Sequence, residues 1–238
     1  SLPLSPFFWL DEHILQHLYE LNLLLLVPED SFEYININEE QELEIDYQRA
    51  TFEFAYDTND LNKVMVVAKS KKDIHALVAD KQFRMWCADI QLAECLNYLT
   101  TRTKLNNLEP SITEKLFSIF RSCLAENSVS VVYYVIYRAV EMAAKSSQTL
   151  DTTQKHPSSS ISSNIELVFG QISTGVCRRN NSFRDDSHPQ SAITKLFFDY
   201  VFGIEDGGFH YTLDELFNPY RSQKACGQVS YSMLGSAQ

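Results

Sequence analysis

Residues 1–169 contain no glycine; all seven glycines of this 238-residue chain lie at position 170 or beyond. Tight β-hairpins need turn residues that accept positive φ, and glycine supplies most of them. A many-stranded sheet is therefore hard to build across the first two-thirds of the chain. Helices joined by polar loops have no such need, because glycine weakens a helix interior by about 1 kcal/mol. The absence predicts a mostly α-helical fold.

Hydrophobic periodicity agrees with this. The segment VSVVYYVIYRAVEMAAK (129–145) has the β-branched residues of a strand and nearly the length of a membrane span. Wound at about 100° per residue, it places Val129, Val132, Tyr133, Ile136, Ala139, Val140 and Ala143 on one face. Arg138, Glu141 and Lys145 fall on the other, with Glu141 and Lys145 spaced for an i,i+4 ion pair. That polar stripe is costly in lipid, so a core-facing helix is expected and a membrane span is not. Asn127 or Ser128 can cap its start.

The preceding segment, SITEKLFSIFRSCLAE (111–126), opens with Ser111 and Glu114 at capping-box spacing. It aligns Ile112, Leu116, Ile119, Phe120 and Cys123. The short loop between these two helices predicts antiparallel neighbours. Residues 81–99 are apolar around much of the circumference, as in a central helix with neighbours on several sides. Residues 11–26 align Ile14, Leu18, Leu21 and Leu25 ahead of Pro28, and residues 58–69 begin with a Thr58 cap. Further helices are predicted over 191–204, capped by Ser191, and over 212–220, where Thr212 and Glu215 form a second capping box.

Residues 32–57 support two readings. ELEIDYQ and TFEFAYD alternate as strands do. The phase slips at Arg49–Ala50, however, where no turn residue stands. A helix with Leu43, Tyr47, Ala50 and Phe54 on one side is preferred, with a small β element as the alternative. The expected architecture is a helical bundle or a short α-solenoid of the HEAT or armadillo kind, although no fixed repeat period is present. A glycine-free helical domain covers 1–147, and a Ser/Thr-rich loop or linker covers 148–163. A C-terminal helical part (164–224) packs on the first, and a frayed tail covers 225–238.

The net charge is −11 and the isoelectric point is near 5.0. A general nucleic-acid binder needs a basic surface, so that role is unlikely on charge grounds. The five cysteines form no CxxC pair, and free thiols in a reducing, intracellular compartment (cytoplasm or nucleus) are expected. The N-terminal stretch lacks the basic region of a secretory signal.

Candidate chemistry is thin. His13, His17 and Glu20 share one side of the first helix, but the acid–histidine order is not that of a zinc hydrolase. A solvated helix face is the expectation, with no metal and no cofactor. Cys87 sits between Trp86 and Ala88 in an apolar helix, which is a core position. Cys177 precedes Arg178 and Arg179, yet no base or oxyanion device is nearby in sequence. GIEDGGFHY (203–211) has paired glycines, Asp206 and His210 but no phosphate-loop spacing. Arg179 and Ser182 match the loose R-x-x-S pattern of basophilic kinases.

The charge is unevenly spread. Residues 29–60 contain eleven acids and one base, Arg49, while residues 61–84 contain six bases and two acids. An acidic surface beside a mildly basic one suits recognition of another protein with a basic segment. The aromatic run Phe7, Phe8 and Trp9 either staples the entry to the first helix or anchors a partner. The sequence thus points to a non-catalytic interaction domain, a scaffold or adaptor. Its contacts would be Phe7, Phe8, Trp9, Glu39, Glu40, Glu42, Glu44 and Asp46. The alternative is a hydrolase or transferase of unfamiliar type, such as a bacterial effector acting in a host cell. It would use Asp206, His210 and Cys177 in the glycine-bearing C-terminal part.

Overall fold

The computed structural model describes residues 3–38, 43–55, 74–109, 112–149, 158–184 and 189–221. Helices dominate, and one hydrophobic cluster runs through them from Phe7 to Phe217. Helix α1 spans Phe8–Glu20, α2 is the turn Pro28–Ser31, and α3 spans Ile74–Ala79. Helix α4 (Lys81–Leu105) is the longest, followed by α5 (Glu114–Glu126), α6 (Val129–Thr149) and α7 (Ser158–Ser173). Helix α8 (Ala192–Thr194) runs into a π-helix, Lys195–Phe202, and α9 covers Leu213–Arg221.

The α6 face read from periodicity is the buried one: Val129, Val132, Tyr133, Ile136, Ala139, Val140 and Ala143 are all buried. Arg138 is exposed, and Glu141 accepts a 2.6 Å hydrogen bond from Tyr137 Oη. Helix α6 packs against α4 on one side and α7 on another. Helix α4 is central, as its nearly all-round apolarity predicts. Cys87, Ile90, Leu92, Ala93, Cys95, Leu96 and Leu99 are buried around its whole circumference. Tyr98 of α4 stacks on Tyr133 of α6 at 3.8 Å between ring centroids. Such pairs contribute about 0.5–1.5 kcal/mol beyond their area burial. At the far end, Phe83 stacks on Phe197 at 5.2 Å, and Phe202 meets Phe217 edge-on at the same distance.

Several boundaries differ from the sequence reading. Helix α5 starts at Glu114, and its cap is Thr113, whose Oγ1 accepts from Leu116 N. Ser111 of the expected capping box lies outside the described residues, as do residues 58–69. The box at Thr212 and Glu215 forms as expected: Thr212 N donates to Glu215 Oε2 at 2.8 Å, and Glu215 N donates to Thr212 Oγ1 at 3.2 Å. The expected 148–163 loop is helical at both flanks, since α6 reaches Thr149 and α7 begins at Ser158. Ile161, Ile165, Val168 and Ile172 give α7 a buried stripe at helical spacing, which outweighs its serine-rich start.

The preference for helix over 32–57, and for helix up to residue 26, is overturned. Helix α1 stops at Glu20, and Leu24–Leu26 form strand β1. The reversal is made by Asn22, which adopts φ 56°, a conformation asparagine tolerates better than most residues. Strands β2 (Ile35–Ile37), β3 (Leu43–Ile45) and β4 (Phe52–Phe54) follow. β1 pairs antiparallel with β4, setting Leu25 opposite Glu53, and β2 pairs antiparallel with β3, setting Asn36 opposite Glu44. The turn that sequence reasoning missed is built by Asp46. Its carboxylate accepts from Gln48 N at 3.2 Å, and its carbonyl accepts from Ala50 N at 2.9 Å. An Asx-type turn thus supplies the reversal without glycine.

The two ribbons are stitched together. Ser31 Oγ accepts from Thr51 N at 2.8 Å, and Tyr47 stacks on Phe52 at 5.8 Å. Tyr19 of α1 meets both rings edge-on, at 6.2 and 6.1 Å, so this β layer rests on the first helix.

Candidate functional site

Among the described residues, one place sets exposed apolar side chains among carboxylates and another buries a polar network. The first is the N-terminal β layer. Large apolar side chains are left in solvent there: Phe32 is 81% exposed, Ile37 72% and Phe54 58%, with Leu21 and Leu25 also exposed. Small two-stranded ribbons cannot bury both faces, so their hydrophobic residues remain uncovered. Carboxylates surround them. Glu29, Asp30, Glu33, Glu44 and Glu53 are all exposed, and among the described residues none of the five is in an ion pair. Asp46 is tied at 3.6 Å to Arg49. Glu39, Glu40 and Glu42 lie outside the described residues.

The aromatic run divides. Phe7 is buried in the core, and Trp9 is half-buried against His13 at 4.7 Å and Phe117 at 5.6 Å. These two staple the entry of α1. Phe8 alone faces mainly outward, 56% exposed. His17 packs near Trp86 at 5.6 Å, and among the described residues no group of three or more potential metal ligands comes together.

The second place is a buried polar network that sequence reasoning did not identify. Glu94 of α4 is 4% exposed. Its Oε2 accepts from Arg184 Nη1 at 2.7 Å and from Tyr133 Oη at 3.3 Å, and its Oε1 accepts from Thr194 Oγ1 at 3.0 Å. Arg184 Nε also donates to Asp206 Oδ1 at 2.8 Å, while its guanidinium lies 4.7 Å from the centroid of the Phe209 ring. Burial alone would lower the Arg184 pKa, but Glu94, Tyr133 and Asp206 hold it above its ordinary value. Tyr133 is pushed well up, first by burial and then by the Glu94 charge.

The local conformation serves this network. Ser191 caps α8 by accepting from Thr194 N at 3.2 Å, and its Oγ lies 2.8 Å from Thr194 Oγ1, which holds that hydroxyl in place. Asp206 and Gly207 adopt φ 59° and 60°, and Asp199 Oδ1 of the π-helix accepts from Gly207 N at 2.9 Å. Main-chain bonds continue the attachment: Ser182 N donates to Ser130 O, and Ser130 N donates to Phe209 O, each at 3.0 Å. Residues 182–184 and 194–209 are thereby fastened across α4 and α6. Both Glu94 oxygens are occupied, so the carboxylate acts as a fastener and offers little as a general base. A carboxylate flanked by Ala93 and Cys95, in the stretch 90–96 where the helix is apolar on most sides, is the sequence signal that marks it.

The residues of the alternative catalytic reading are placed as follows. Asp206 is committed to Arg184, and His210 is exposed, its ring meeting Phe209 edge-on at 5.1 Å. Cys177 is half-buried, with its Sγ 3.8 Å from Tyr134 Oη. No hydrogen bond joins these three to one another among the described residues. Cys87, Cys95 and Cys123 are buried, and burial raises all three thiols, Cys123 to about 12. Such thiols are poor nucleophiles near neutral pH. Among the described residues no helix is long and apolar enough to cross a membrane. Comparisons with protein-family models, with curated proteins and with solved structures gave no match.

Proposed function

We propose that this chain is a non-catalytic protein-interaction domain, with the helical body as a rigid scaffold and the N-terminal β layer as its contact face. One observation carries the reading: large apolar side chains stand in solvent on residues 21–54 while a closed core lies behind them. Exposed apolar clusters rimmed by polar groups are characteristic of surfaces that bind partners. The helical body also exposes Phe183, Val176 and Leu105, but without the run of carboxylates found in the β layer. Its buried carboxylate and arginine satisfy each other, and its described thiols are mostly shielded.

Affinity capture with mass spectrometry at native salt tests the reading, comparing the wild-type chain with a Phe32→Ser/Ile37→Ser/Phe54→Ser variant. These side chains are exposed, so the far-ultraviolet spectrum should not change. A partner captured by the wild type and lost by the variant is the expected result. An identical set of captured proteins removes the β layer as the contact face.

A further inference from the structure

Resting on that interaction reading, we infer that the β layer takes a Lys- or Arg-bearing segment with interspersed apolar side chains. Each kind of partner would act differently on the carboxylates of this layer. Apolar and acidic groups stand side by side: Leu25 lies directly across the ribbon from Glu53, on the same face, and Phe32 precedes Glu33 in the short turn before β2. A partner that covers Leu25 or Phe32 also takes water from Glu53, on the same face of the ribbon as Leu25, and from Glu33, next to Phe32 in the chain. A neutral apolar partner leaves those charges desolvated and uncompensated, which is costly. An acidic partner adds repulsion. A partner with lysines or arginines between its apolar residues supplies the missing counter-charges and covers the apolar atoms at once.

The counter-charges are not provided within the described part of the layer. Its one base, Arg49, is taken by Asp46. The described residues 29–38 and 43–55 hold six acids and one base, a net charge of −5, far denser than the −11 of the whole chain spread over 238 residues. A field of that sign draws cationic segments toward the layer and repels nucleic acid.

Three short synthetic peptides with a common Leu/Phe spacing, and with Lys, Ser or Glu between, serve as probes. Binding to the full chain is read by fluorescence anisotropy. The Lys peptide is expected to bind best, and a Glu44→Lys/Glu53→Lys variant should weaken it roughly tenfold. Ionic strength near 1 M, where the Debye length is about 3 Å, should weaken it comparably. Leu25→Ser/Phe32→Ser should weaken it as well, which nonspecific charge attraction would not produce. Equal binding of the Ser peptide overturns the charge inference but leaves the interaction reading in place. Lys-peptide binding that ignores all of these variants, or no binding of any probe, also overturns the inference. The interaction reading is then decided separately by the capture experiment.

Discussion

Replacing Arg184 with methionine removes the cation from the centre of the buried network and keeps much of its volume. In the wild type the Arg184 and Glu94 side chains are 11% and 6% exposed and 2.7 Å apart. Breaking a buried pair from one side costs about 3–5 kcal/mol, because the remaining charge is left without its partner. Glu94 would retain Thr194 and Tyr133 as neutral donors, which places the loss near the lower bound, about 3 kcal/mol. For a chain of this size each kcal/mol moves Tm by about 2–4 °C, so a drop of about 6–12 °C is expected. Urea unfolding followed by circular dichroism gives the free energy, and a cycle with Glu94→Gln gives the coupling. Arg121→Met is the control. Its 3.6 Å pair with Asp89 has the arginine 59% exposed, so a loss under about 1 kcal/mol is expected. An Arg184→Met variant as stable as the control, or strictly additive with Glu94→Gln, would refute the view that this pair fastens residues 182–184 and 194–209 to α4.

The remaining predictions concern backbone strain, thiols and titration. Gly207→Ala should cost about 3 kcal/mol, combining left-handed strain with a Cβ only 2.5 Å from Thr194 Cγ2. Gly203→Ala, at φ 69° but with open space around its Cβ, should cost about 1 kcal/mol, and equal losses at the two sites would contradict the packing described. Of the four cysteines at 87, 95, 123 and 177, only Cys177 should react quickly with a thiol reagent at pH 8 in the folded chain. Rapid labelling of Cys87 would show that its helix is not buried as described. Asp89 has its pKa raised by burial, which Arg121 and His13 oppose. Its ionised form is thus the less favoured one in the fold. The stability this carboxyl contributes is present below its unfolded pKa of about 4 and is lost as pH rises through the higher folded value. Asp89→Asn should therefore stabilise the chain at neutral pH relative to acid, and an opposite trend in urea midpoints would reverse the assignment.

The helical body was legible because its signals are local and redundant. The 129–145 stripe, the Thr212 capping box and the all-round apolarity of 81–99 each fix helix type without knowledge of neighbours. The β layer was misread for a specific reason. A segment without glycine predicts no sharp reversals, yet Asn22 adopts positive φ and Asp46 closes a turn through its carboxylate. Asparagine and aspartate thus build the reversals that the glycine count discounted. Strand pairing between β1 and β4 joins residues nearly thirty positions apart, and no periodicity within either segment announces it. The polar network stayed hidden for the same reason. Glu94, Arg184 and Asp206 come from α4, a loop and a 3₁₀ turn, and only the fold brings them within hydrogen-bond distance.

The proposed contact face lies on the β layer, while the Arg184 network serves as internal fastening. Hydrogen–deuterium exchange of the chain, alone and saturated with a partner recovered by capture, tests that division most directly. Protection concentrated in peptides spanning 21–54, with 178–217 unchanged, is the predicted result. Protection centred on 178–217, with the β layer exchanging as freely as before, would contradict it.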